Sequence, residues 1–113
     1  MTLTAANILA AQDITRRTVA VPEWGGDVCV RMMTSAARDR LEAEMAAFRG
    51  DMTNFRARLL VRCLCDEQGN QLFKDSDAVA LGEKSAAALN RLFNVATELN
   101  NFTAAEVEAI EKN

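Results

Sequence analysis

Histidine is absent from this chain of 113 residues. One absence removes both the commonest general base near neutral pH and the commonest metal ligand. Cysteine is scarce, at positions 29, 63 and 65. An odd count at these spacings makes a poor disulfide framework. Cys63-Leu64-Cys65 has no second ligand pair, so it reads as small apolar side chains in a buried segment. No apolar run approaches the roughly 20 residues of a membrane span. The opening MTLTAANILAAQD has neither the basic start nor the long apolar block of a signal peptide, so the expectation is a cytoplasmic protein. Gly-rich phosphate loops, nucleophile elbows and metal boxes are missing too. Carboxylates, lysines and cysteines remain as catalytic candidates, and the carboxylates fall mostly in loops and on exposed helix faces. No catalytic site, cofactor site or metal site is assembled from these residues, and binding is the expected mode of action.

The chain does have the composition of a globular domain, half apolar and about a quarter charged. Its length suits one domain with one core, spanning residues 1–113. The net charge of −3 conceals a split. Residues 1–62 carry a balance of +2 and residues 63–113 a balance of −5. Such asymmetry suits self-association or a partner with patches of both signs. It argues weakly for nucleic acid, which prefers a net basic face.

Periodicity divides the chain. Residues 85–100 (SAAALNRLFNVATELN) place Leu89, Leu92, Phe93, Ala96 and Leu99 on one helical stripe, with Ser85 as N-cap and Asn100 and Asn101 as terminators. This helix is the expected support for everything else. Residues 4–12 read as a short helix with only Ile8 and Leu9 as large apolar residues. Between 16 and 33, alternating Val19, Val21, Val28, Val30 and Met32 predict a β-hairpin. Its loop of five or six residues is Pro22-Glu23-Trp24-Gly25-Gly26-Asp27. Trp24 in that loop has two readings: folded back on the core, or a partner anchor.

A helix over 35–48 follows, with Ala37, Leu41, Met45 and Phe48 on one face and i,i+4 pairs Arg38–Glu42 and Arg40–Glu44. Thr34 or Ser35 caps it and Gly50 ends it. Residues 53–65 are read as a well-buried helix capped by Thr53, although RLLVRCLC also fits a strand. Arg56, Arg58 and Arg62 break its surface. They form either a solvated or acid-paired face or, with Arg49, a thin phosphate-binding patch. Asp66–Asn70 is a turn, Gln71–Phe73 an extended piece that tucks Leu72 or Phe73 inward, and 75–81 a short acid-capped helix. A capping box at Thr103 and Glu106 opens a last helix over 103–112, with only Val107 and Ile110 to bury. That helix is a docked lid or a mobile tail. The expected fold is therefore α+β, one N-terminal β-hairpin packed on a bundle of four to five helices.

Three stretches together resemble the tail assembly chaperone family of long-tailed bacteriophages and prophages. They are VAVPEWGGDVCVRMMTSAARDRLE (19–42), CDEQGNQLFKDSDAVALGEKS (65–85) and SAAALNRLFNVATELNNFTAAEVEAIEKN (85–113). The family's Val-Pro-Glu-Trp-Gly-Gly segment, its Asp-x-x-Gly-x-x-Leu-Phe piece and its Glu-Lys-Asn tail are matched in order. Cys29 stands where family members often carry an aromatic residue. The resemblance implies a non-catalytic assembly factor that binds the tape measure protein, keeps it soluble and helps recruit tail tube protein. It also implies a protein of the host cytoplasm, absent from the mature virion, with a frameshifted longer product in many relatives. Trp24, Arg56, Arg58 and Arg62 are the candidate partner-binding residues. A small regulatory or nucleic-acid-binding protein using the Arg-rich helix face is the alternative. The methionines, among them Met32, Met33 and Met45, fill the core or furnish an adaptable surface.

Overall fold

A computed structural model describes residues 1–111. Lys112 and Asn113 of the Glu-Lys-Asn tail, and with them the end of the last helix expected at residue 112, lie outside the described residues. The fold is α+β, with six helices and a three-stranded antiparallel sheet. In chain order the elements are α1 (Ala5–Ala10), β1 (Arg16–Val21), β2 (Gly26–Arg31), α2 (Ser35–Ala47), α3 (Phe55–Cys63), β3 (Leu64–Cys65), α4 (Ala78–Leu81), α5 (Ala86–Leu99) and α6 (Ala104–Glu111).

The expected hairpin is present, with Val19 opposite Val28 and Val21 opposite Gly26. Period-two alternation turns Val19, Val21, Val28 and Val30 to the core side. The loop is tighter than its composition suggests. A single 3-10 turn, Pro22–Trp24, is closed by Gly25 at φ +78°, which lets pairing resume at Gly26. Proline suits the start of that turn, where its missing N–H has no partner to lose.

Helix α5 lies under the hairpin as its periodicity requires. Ala88, Leu89, Leu92, Phe93 and Ala96 are buried, and the Ser85 hydroxyl accepts from the Ala88 N–H. Asn101 takes φ +56° and ends the helix. Asn100 does more than terminate. Its Oδ1 accepts from the Met33 N–H at 2.8 Å, and its amide donates to the Ala96 carbonyl. It thus joins the exit of the hairpin to the end of α5.

The most enclosed element is α3, whose residues from Ala57 to Cys63 are all buried. Its N-cap is Asn54, at φ +59°, rather than Thr53. The chain leaves helical geometry at Leu64, so the stretch expected as helix over 53–65 ends in strand. Leu64 and Cys65 pair with Val30 and Cys29. The Asp66–Asn70 turn then folds back, with the Asp66 carboxylate accepting from the Gln68 and Asn70 N–H groups. Phe73, not Leu72, packs against the core.

Thr34 caps α2, but the expected i,i+4 ion pairs on that helix do not form. Arg40 instead reaches Asp75 at 2.8 Å, and Glu44 binds Arg62. Partners from α3 and from the Asp75 turn offer a fixed, partly dehydrated carboxylate or guanidinium, which outcompetes a flexible neighbour on the same solvated helix face. Phe48, expected inward with Leu41, is half exposed, and its ring lies over the Arg58 guanidinium at 4.7 Å. Helix α6 is docked, with Ile110 buried and Val107 packed against the core.

Candidate partner-binding surface

Trp24 is 37% exposed, so one part of its ring packs while another faces solvent. With Phe73, Ala80, Leu81 and Lys84 it lines a shallow cleft of ≈ 290 Å³. The loop that carries it is held by Arg91 of α5, which grips both oxygens of Glu23 at 2.8 and 2.9 Å. That bidentate bond holds the Glu23 carboxyl down at about 2, and raises the guanidinium in turn. The turn that carries the indole is thereby tied to α5.

The four arginines do not form the exposed face expected of them. Arg58 is 2% exposed and Arg62 1%, so their expected position at the helix surface is corrected. The sequence made them look superficial because a charged side chain on a short helix usually reaches water. Here α2 and the turn at Asp75 cover them and supply counter-charge. Arg62 donates to Glu44 at 2.7 Å and to the Arg58 carbonyl at 2.7 Å, and lies 3.4 Å from Asp75. Arg58 donates to the Asp51 carbonyl at 2.6 Å, beside the Phe48 and Phe55 rings. Burial works to raise the Asp75 carboxyl, but bonds from Arg40 and Gln71 and the charge of Arg62 outweigh it and lower the group. Arg56 stays half-buried, its guanidinium 5.1 Å from the Phe93 ring. Arg49 is exposed at the end of α2 with φ +54°. The acid-paired reading therefore describes Arg58 and Arg62, and a continuous basic strip is absent among the described residues.

A larger feature escaped the sequence reading. Between α2, the entry to α3 and α6 runs a groove of ≈ 500 Å³ lined by Leu41, Met45, Met52, Phe55, Phe102 and Ile110. Arg38 at its rim stacks over Phe102, 4.8 Å from the ring centre. Met45 is one of the methionines expected either to fill the core or to furnish an adaptable surface. Met52 and Phe102 lie in connecting segments, where periodicity gives no sign of a shared face. Met is suited to such a groove because its unbranched thioether repacks around varied shapes. A second apolar feature is α1. None of its residues is buried, and Ile8 and Leu9 are 59% and 86% exposed. No helix of the described residues is long and apolar enough to cross a membrane.

A sequence model of the family described as "Phage tail assembly chaperone" matches residues 3–113. Among solved structures, the tail assembly chaperone of bacteriophage HK97 is similar, with a TM-score of 0.58 and 24% identity. The match covers 87% of this chain and 94% of that one. At that identity the likeness speaks for the fold. The curated proteins gave no match.

Proposed function

The chain belongs to the phage tail assembly chaperone family, and on that footing we propose that it acts without catalysis, by binding the tape measure protein. Family membership places its work in tail assembly, in the infected host, with tail proteins as partners. The finer reading is that it shields apolar stretches of the long tape measure chain in the host cytoplasm and helps recruit tail tube subunits. It then departs, so that the mature virion lacks it. Residues 1–113 act in this as one domain.

The observation that carries the reading is the methionine-lined groove between α2 and α6. A helical chain with apolar residues at i, i+3, i+4 and i+7 buries that stripe in such a groove, as amphipathic helices do in others. Flexible Met45 and Met52 suit successive, differing segments of one long chain. Trp24 adds an aromatic anchor away from the groove, with Arg56 half exposed on α3. Aromatic and arginine side chains dominate binding energy at interfaces of this kind.

Co-expression tests it. With this chain present, the tape measure protein stays in the soluble fraction and the two co-purify after nuclease treatment. Met45→Asp, at a half-buried groove position, lowers the recovered complex by about tenfold while the chain alone still folds. A tape measure protein that is equally soluble with and without the chain overturns the proposal, as does retention that depends on nucleic acid.

A further inference from the structure

Cys29 and Cys65 are directly opposed on antiparallel β2 and β3, and their sulfurs lie 3.1 Å apart. The next pair, Val30 and Leu64, is buried in the core, so alternation puts both thiols on the opposite face of the sheet. Directly opposed residues of an antiparallel pair stand at the Cα separation a disulfide bridge spans. We infer that Cys29 and Cys65 form a thiol–disulfide exchange site, which takes a small anionic disulfide as oxidant and closes into a bond stapling β2 to β3.

The surroundings favour that oxidant. Arg16 and Arg31 are paired across β1 and β2 on the same face as Cys29. Neither has a carboxylate within ion-pair distance among the described residues. Arg31 bonds only carbonyls, those of Gly69 and Arg62. Exposed Arg16 and the buried, carbonyl-bonded Arg31 leave this face with positive charge that no carboxylate among the described residues offsets, and that charge attracts a reagent carrying carboxylates. Exposure sets the order of events. Cys29 is half-buried and meets the reagent, whereas Cys65 is buried. Burial and the contact with Cys29 push the Cys65 thiol up to about 12, against the pull of Arg31 and Arg16. Cys63, pushed up to about 12 by burial, takes a bond from the Asn100 amide and stays out of the exchange.

The chemistry balances. The Cys29 thiolate attacks one sulfur of the small disulfide, whose S–S bond breaks and releases one thiolate. Cys65 then gives up its proton, and its sulfur attacks the Cys29 sulfur of the mixed disulfide, expelling the second thiolate. Two electrons pass from the two cysteines to the reagent, and the two protons end on the two small thiols. The product encloses α2 and α3 within one covalent loop, which limits the unfolded chain more than the folded one.

The test uses the full reduced chain, incubated with mixtures of oxidised and reduced glutathione and quenched with acid. The expected result is a monomer lighter by two hydrogens, with a Cys29–Cys65 linkage in its peptide map and a thermal midpoint raised by about 10 °C. Cys65→Ser stops at a stable glutathione adduct on Cys29, and Cys29→Ser does not react. Should either variant fail to fold, the linkage in the peptide map of the unaltered chain decides alone. A persistent adduct on the unaltered chain, a bond involving Cys63, dimers only, or no oxidation overturns the inference.

Discussion

At the residue scale the decisive feature is how charge is handled, and two predictions belong there. Glu23 and Arg91 join the hairpin turn to α5 through a two-pronged bond at 2.8 and 2.9 Å. The folded carboxyl titrates at about 2 instead of 4.5. A lowered carboxyl contributes stability that is fully present above the unfolded value and is lost as pH falls through the folded one. The thermal midpoint should therefore fall between pH 4.5 and about 2. Glu23→Gln should flatten that part of the curve and leave the midpoint near pH 7 only slightly lower. Thermal scans of both proteins across the window check this, and curves of equal slope would refute it. Arg62 is the stronger case, because it is buried and holds Glu44, Asp75 and the Arg58 carbonyl together. Arg62→Ala should destabilise by about 2–3 kcal/mol, since it leaves a cavity and takes from Glu44 its short ion pair, with only Arg58 at 3.9 Å remaining. Adding Glu44→Gln should recover part of that loss in a double-mutant cycle by urea unfolding.

At the scale of elements, α1 stands apart. It has a complete capping box, in which Thr4 and Asn7 satisfy each other's N–H groups, and yet buries none of its residues. A helix of this length gains little from propensity alone and draws its support from packing. Removing residues 2–12 should therefore leave the urea midpoint of the rest unchanged, within about 0.5 kcal/mol. A larger loss would mean that α1 packs on the domain in solution. The opposite holds for α3 and α5, whose buried faces meet. Each large side chain there contributes roughly 1.5–3 kcal/mol through removal from water. The two-residue strand β3 is an element that only its partner stabilises, since two residues have no strand preference to speak of without β2 beside them.

At the scale of the whole molecule, one cluster of buried residues runs from Val21 and Val30 through α3 to α5 and Ile110. A shared core makes unfolding cooperative. Trp24 fluorescence, which reports the hairpin turn, and far-ultraviolet circular dichroism, which reports the helices, should give coincident urea transitions. Separate midpoints would show that the hairpin leaves α5 before the helices melt. The groove between α2 and α6 also belongs to this scale, because no single element contains it.

What the sequence by itself determined is whatever depends on neighbours within a few residues. Alternating valines, the Leu89-Leu92-Phe93-Ala96 stripe, the Ser85, Thr34 and Thr103 caps and the Asp66 turn all follow from local geometry and local hydrogen bonds. The hairpin on a helical bundle follows from them too, and the family was visible in the order of three stretches. Only the tertiary structure decided what depends on distant partners. Helix gives way to strand at Leu64 because β2 lies within reach of it. Arg58 and Arg62 are buried because Glu44 and Asp75 are brought to them from other elements. Met45, Met52 and Phe102 share a groove because three separate segments converge. A period of two or of 3.6 residues records which side of an element is apolar, but not which other element will cover it, because that pairing is fixed by packing across the whole chain.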